Sequence, residues 1–64
     1  MQKYVERMFS EKKELDGRIS RAKKAVESPP YGADSESIEL LKEQVGYMES
    51  YSSILQKRID KERG

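Results

Sequence analysis

The strongest constraint on the fold is a pair of matching heptad patterns on either side of a central Pro-Pro pair. In the second half of the chain, the residues at steps of three and four are Ile38, Leu41, Val45, Met48, Ser52, Leu55 and Ile59. The first half has the same spacing at Val5, Met8, Lys12, Leu15, Ile19, Ala22 and Val26. This spacing is typical of helices that pack along one apolar seam. The sequence therefore predicts two helices that pack on each other.

The segment between the two patterns predicts how the helices are connected. Pro29 disfavours a helical conformation at Ser28, and Gly32 permits a turn with positive φ. Neighbouring helices joined by so short a loop run antiparallel. We predict an all-α fold with one domain, residues 1–64: a helix over 2–27, a loop over 28–34 and a helix over 35–62. Asp34 is favoured over Ser35 as the N-cap of the second helix.

Antiparallel pairing fixes a register for this coiled-coil-like hairpin. Five apolar pairs are predicted, namely Val5 with Ile59, Met8 with Leu55, Leu15 with Met48, Ile19 with Val45 and Val26 with Ile38. The two polar interruptions of the seam, Lys12 and Ser52, then lie opposite each other. Two independent patterns rarely match in this way by chance, so the match supports the register.

The chain is too small for a large core, since it has 64 residues of which 34% are hydrophobic. Proteins of this size usually add disulfides, a structural metal or oligomerisation. The sequence contains no Cys and no His, which excludes disulfides and argues against a zinc site. We therefore expect a homo-oligomer.

Composition also narrows the classes of function. The net charge of +1 argues against binding to duplex nucleic acid. No apolar run reaches the roughly 20 residues of a membrane span, and no signal peptide is evident, so we expect a cytoplasmic protein without a membrane partner. Without His, Cys, a Gly-rich phosphate loop or a metal-like spacing of acids, we expect no catalysis, no metal and no cofactor.

One flank of the seam combines aromatic and basic residues, and we call it the tyrosine flank. Its innermost rows are expected to form three complementary pairs: Tyr4 with Arg58, Glu11 with Tyr51, and Arg18 with Gln44. The next row contributes Arg7 and Tyr47. On the other flank only Phe9 is apolar, and Asp16 is expected opposite Glu49, with Lys23 opposite Lys42. We interpret that flank as solvated.

Two uses of the tyrosine flank remain open from the residues alone. Tyr rings and Arg guanidinium groups stack bases and bind phosphates. The same residue types are also enriched at protein interfaces. An apolar strip within the flank, formed by Leu40, Tyr47, Tyr51 and Ile54, is expected to be covered by some partner.

The polar and apolar positions together resemble a known family of small proteins. The pattern is Tyr4-x-x-Arg7-Met8-x-x-Glu11-x-x-Glu14-Leu15-x-x-Arg18-Ile19, followed by Leu40-Leu41-x-x-Gln44-x-x-x-Met48-x-x-Tyr51-x-x-x-Leu55-x-x-Arg58-Ile59. It resembles small phage-encoded helical hairpins that are similar to the hairpin domain of anti-CBASS and anti-Thoeris sponges. Those phage anti-defence proteins sequester cyclic nucleotide immune signals.

The resemblance implies a homo-oligomer, from a dimer up to a hexamer, that binds a cyclic nucleotide at protomer interfaces without hydrolysing it. The ligand would be a cyclic di- or trinucleotide or an isomer of cyclic ADP-ribose. The candidate ligand-binding residues are those of the tyrosine flank: Tyr4, Arg7, Glu11, Arg18, Gln44, Tyr47, Tyr51 and Arg58. The alternative is a small adaptor that oligomerises or binds a host helix through the same flank.

Overall fold

A computed structural model describes residues 3–64 as two α-helices joined by a short loop. Helix α1 is Lys3–Glu27 and helix α2 is Ser35–Arg63. The two helices pack against each other, and the fold is all-α. Residue 2, where the first helix is predicted to begin, lies outside the described residues. Helix α2 ends one residue beyond the predicted 62.

The ends of the helices at the loop have identifiable causes. The backbone N–H of Ser28 donates to the Lys24 carbonyl at 2.8 Å, and the next residue, Pro29, has no N–H to continue the helix. Helix α2 begins after Asp34, whose side chain accepts a hydrogen bond from the Ser37 backbone N–H at 2.8 Å. The predicted N-cap is thus confirmed. This bond from a backbone N–H lowers the pKa of Asp34, because it stabilises the carboxylate.

A β-turn reverses the chain between the helices. The Ala33 N–H donates to the Pro30 carbonyl at 3.0 Å, and Gly32 has φ +87°. Positive φ at the third residue is typical of a type II turn and favours glycine there. Tyr31, at the second position of the turn, is fully exposed.

The predicted seam forms the core, but its burial is uneven. One cluster joins six buried residues of both helices: Val5, Met8, Leu15, Ile19, Leu55 and Ile59. Met48 packs against this cluster, and Leu55 and Ile59 are 0% exposed. Nearer the loop, Val26, Ile38 and Leu41 are only half-buried. The tightest packing therefore lies towards the open end of the hairpin.

A third residue, Asp16, links the two polar residues of the seam. Ser52, 8% exposed, donates its Oγ to Oδ1 of Asp16 at 2.6 Å. The Lys12 ammonium bonds Oδ2 of the same carboxylate at 2.7 Å. Lys12 and Ser52 thus bond the two oxygens of one carboxylate, and the register that places them directly opposite each other stays a prediction. The bond from Lys12, followed by that from Ser52, lowers the pKa of Asp16.

The other flank differs from its prediction in its ion pairs. Glu49 bonds Lys23, with 2.7 Å between Nζ and Oε2, and Lys42 bonds Glu39 at 3.2 Å. Lys23 and Lys42 still line one groove, as their predicted proximity requires. Each of these charges therefore has a partner of opposite sign, which relieves the predicted repulsions. The Arg63 guanidinium carbon lies over the Phe9 ring, 5.8 Å from the centre of that ring. This flank is therefore polar with one cation–ring contact.

The hairpin is a thin rod of 46 × 15 × 13 Å. Its radius of gyration is 14.6 Å, whereas a compact globule of this length would have about 11 Å. A rod two helices thick has no interior that can enclose a ligand, so binding by one chain takes place on its surface. Neither helix within residues 3–64 is long and apolar enough to cross a membrane.

Candidate ligand-binding surface

Two open grooves contain most of the predicted ligand residues. The helix-one groove, about 470 Å³, is lined by Lys3, Glu6, Arg7, Ser10, Glu11 and Glu14. The helix-two groove, about 440 Å³, is lined by Leu40, Glu43, Gln44, Tyr47, Met48 and Tyr51. Both volumes fall within the range of small-molecule sites. Each groove has only one helix contributing its lining.

The helix-one groove has a mixed charge. Lys3, Arg7, Ser10 and Glu14 follow one another at steps of four, three and four, so they share one side of α1. Two cations therefore lie among three carboxylates. Arg7 offers a forked donor for a phosphate, but an anionic ligand here would also meet Glu11 and its neighbours.

The helix-two groove is mainly apolar and aromatic. Tyr47 is 77% exposed, and Tyr51 lies one turn further along α2. The Gln44 amide N–H donates to the sulfur of Met48 at 3.7 Å, which places the amide along the groove. Glu43 is the one charged residue lining it. Exposed rings beside an amide suit the stacking and edge recognition of a nucleobase.

Tyr4 lies outside both grooves and has a different partner from the predicted one. Its hydroxyl donates to the carboxylate of Glu62 and closes the open end of the hairpin. This hydrogen bond is the main reason that the pKa of Tyr4 is raised, since ionising the phenol would break it. The prediction that Tyr4 pairs with Arg58 is wrong, because Glu62, one turn beyond Arg58, offers a hydrogen-bond acceptor.

The other two predicted pairs are also absent among the bonds of residues 3–64. Glu11 and Tyr51 share no hydrogen bond, and Gln44 bonds Met48 instead of Arg18. A residue one turn away on the same helix is nearer than one across the seam. Within a single hairpin, these predicted site residues therefore lie in two separate grooves. Arg7 and Glu11 line the helix-one groove, and Gln44, Tyr47 and Tyr51 line the helix-two groove.

Arg18 and Arg58 are exposed and line neither groove. The ion pairs found within the described residues all use lysines, namely Lys12, Lys23 and Lys42. The guanidinium groups of the tyrosine flank are thus available to an anion. Residues 3–64 include no group of three acidic side chains close enough together to hold a metal ion.

Sequence reasoning missed several residues of this surface. Lys3 and Ser10 line the helix-one groove, and Glu62 holds Tyr4. Lys3, Arg7 and Ser10 are spaced by four and three residues, which places them on one side of α1. This spacing could have identified Lys3 and Ser10 from the sequence. Glu62 has no comparable signal, because its role depends on the rotamer of Tyr4.

One comparison with known proteins gives a match. The model of a family described as Sequestin matches residues 2–61, which is nearly the whole chain. No curated protein and no solved structure matches.

Proposed function

The chain belongs to the Sequestin family, and on this basis we propose that it binds and sequesters a cyclic nucleotide immune signal without cleaving it. It would act as a phage anti-defence protein in the host cytoplasm, lowering the free signal so that the host effector is not activated. The ligand would be a cyclic di- or trinucleotide or an isomer of cyclic ADP-ribose. The family match over residues 2–61 carries the proposal, since the family's name indicates sequestration of a ligand.

The chemistry of the tyrosine flank suits such a ligand. Tyr47 and Tyr51 offer ring faces for stacking, which contributes about 1–3 kcal/mol per base. Arg7, Arg18 and Arg58 offer forked donors for the phosphates.

A homo-oligomer completes the proposal. Neither open groove of one hairpin combines exposed tyrosines with arginine. Packing one protomer against another would bring the arginines of one surface towards the aromatic groove of a second. It would also turn an open groove into a concave site that excludes more water.

The exposed apolar strip favours a second candidate, a small adaptor that binds a host helix. Leu40, Tyr47 and Ile54 recur every seven residues along α2 and are all exposed. Apolar residues at this spacing suit a helical partner. An adaptor would bind a protein through this strip and would have no affinity for a nucleotide.

Calorimetric titration separates the two candidates. The panel contains 3′,3′-linked and 2′,3′-linked cyclic di- and trinucleotides and isomers of cyclic ADP-ribose. The sequestration proposal expects saturable binding of at least one member, and loss of that binding in Arg7→Ala and Arg58→Ala, with the assembly unchanged in Arg7→Ala. No binding across the panel would remove this proposal and favour the adaptor.

Arg63→Ala is the matched control. It removes the same charge, but Arg63 lies over Phe9 on the opposite flank. Affinity should therefore stay unchanged in this variant. An equal loss of affinity in Arg7→Ala, Arg58→Ala and Arg63→Ala would mean that binding depends only on the net charge of the protein. That result would contradict a specific site.

A further inference from the structure

Four of the seven large apolar side chains that are exposed within residues 3–64 lie on the apolar strip of α2. Its members and their exposed fractions are Leu40 57%, Tyr47 77%, Tyr51 44% and Ile54 54%. Leu40, Tyr47 and Ile54 are seven residues apart, so they point in nearly the same direction from the helix. The strip therefore forms a second seam, about 120° around α2 from the intramolecular one.

This second seam is symmetric about Tyr47. Leu40 and Ile54 lie seven residues before and after it. At four residues on either side are Glu43 and Tyr51, a carboxylate and a phenol. At eleven residues on either side are Glu36 and Arg58, which have opposite charges. Each of these six residues thus has a chemically complementary residue at the same distance on the other side of Tyr47. A contact between two copies of one surface requires this relation.

We propose that two hairpins associate through α2, antiparallel, about a two-fold axis that passes by Tyr47. Leu40 then packs on the partner's Ile54, and the two Tyr47 rings meet at the axis. Tyr51 donates to the partner's Glu43, and Arg58 pairs with the partner's Glu36. The contact covers all of the strip and leaves Arg7 and Glu11 of α1 outside it. It uses Tyr47, Tyr51 and Arg58, which the proposed function assigns to the nucleotide, so it describes a nucleotide-free dimer whose contact a bound nucleotide would displace.

Other arrangements of the same strip are less complementary. Parallel association would place Glu36 on the partner's Glu36 and Arg58 on the partner's Arg58, which is repulsive. An antiparallel register shifted so that Tyr47 meets the partner's Tyr51 would place Leu40 on the partner's Arg58. It would also place Ile54 on the partner's Gln44. Of these three arrangements, only the register centred on Tyr47 matches apolar with apolar and opposite charge with opposite charge.

Cysteine crosslinking tests this interface directly, because the chain has no Cys of its own. Leu40→Cys and Ile54→Cys are prepared as separate proteins, one carrying a tag that changes its mass, and oxidised without nucleotide. Each alone should give little disulfide dimer, since its two sulfurs would be about 21 Å apart along the helix. Their mixture should give the heterodimer in high yield. Tyr47→Cys alone should also crosslink.

Ser53→Cys is the matched control. It lies on the same helix and is exposed, but about 120° around the axis from Tyr47. It should crosslink far less than the mixture. Circular dichroism of each variant verifies that the helices are retained.

Three results would overturn the interface. Self-crosslinking of Leu40→Cys as efficient as in the mixture would indicate parallel association. Equal yields for Ser53→Cys and the mixture would indicate random collision. A chain that sediments as a monomer at crosslinking concentrations would exclude the dimer altogether. Because nucleotide is absent throughout, none of these results depends on whether the sequestration proposal holds.

Discussion

At the scale of single residues, Asp16 links the two helices across the polar layer of the seam. Sequence patterns placed Lys12 and Ser52 in one layer, since both interrupt a heptad. They did not place Asp16 there, because it lies beside the seam and was expected to face Glu49. Its carboxylate accepts from Ser52 on one oxygen and from Lys12 on the other. A bridging residue depends on side-chain rotamers, which a heptad pattern does not specify.

The Asp16 bridge predicts acid sensitivity. Its pKa is lowered in the folded state, first by Lys12 and then by Ser52, below the ordinary value of 3.8. The folded state therefore holds the Asp16 proton less tightly than the unfolded state does. The resulting stabilisation is present above about pH 4 and is lost as the pH falls through the lowered pKa.

Asp16→Asn should consequently lower the free energy of unfolding at pH 7 and make it depend less on pH below about 4. Chemical denaturation at a series of pH values measures both effects. Ser52→Ala, which removes only the second donor, should give a smaller change in the same direction. An acid dependence identical in Asp16→Asn and the parent would show that this bridge does not stabilise the fold in solution.

At the scale of the helices, sequence patterns were sufficient for most of the fold. The heptads predicted the seam, the Pro-Pro pair predicted the break, and Asp34 was the correct cap. Uneven burial along the seam was not predicted. Val26 and Ile38 have the right residue types and spacing but are only half-buried. How closely two helices approach near a loop depends on the geometry of the turn, which the heptad does not encode.

Uneven burial predicts unequal costs for core truncation. Leu55 is 0% exposed, so Leu55→Ala should cost about 2–5 kcal/mol of unfolding free energy. Leu41→Ala removes the same atoms from a half-buried position and should cost clearly less. Urea denaturation of the two variants gives the comparison. Equal costs would mean that the loop half of the seam is as well packed as the open half, for instance because a second protomer covers it.

Gly46 predicts a stabilising substitution within α2. A Cβ at this position would meet nothing within 4 Å, so alanine fits without a clash. Gly46→Ala should raise the free energy of unfolding by about 0.5–1 kcal/mol, because glycine loses more backbone entropy in a helix. Thermal and urea denaturation measure it. Destabilisation would instead reveal a neighbour that approaches this side of α2 closely.

At the scale of the whole molecule, the predicted ligand residues do not converge on one cavity. The tyrosine flank was predicted from rows of residues along each helix. Arg7 and Glu11 do share one side of α1, and Gln44, Tyr47 and Tyr51 share one side of α2. On a rod two helices thick, however, the side chains of adjacent rows diverge into separate grooves. Convergence of these residues therefore requires another protomer, and the heptad and row patterns of one chain do not specify where that protomer lies.

The proposed function requires this molecule to remove a cyclic nucleotide from solution and keep it intact. The direct measurement mixes protein with each nucleotide of the panel, separates the free fraction by ultrafiltration and quantifies it by mass spectrometry. With sites at about ten times the Kd, free nucleotide should fall about tenfold, and denaturing the protein should return all of it unchanged. The Arg7→Ala variant should leave the free concentration as it was. Free nucleotide that does not fall for any member of the panel, or a cleaved product after denaturation, would contradict sequestration.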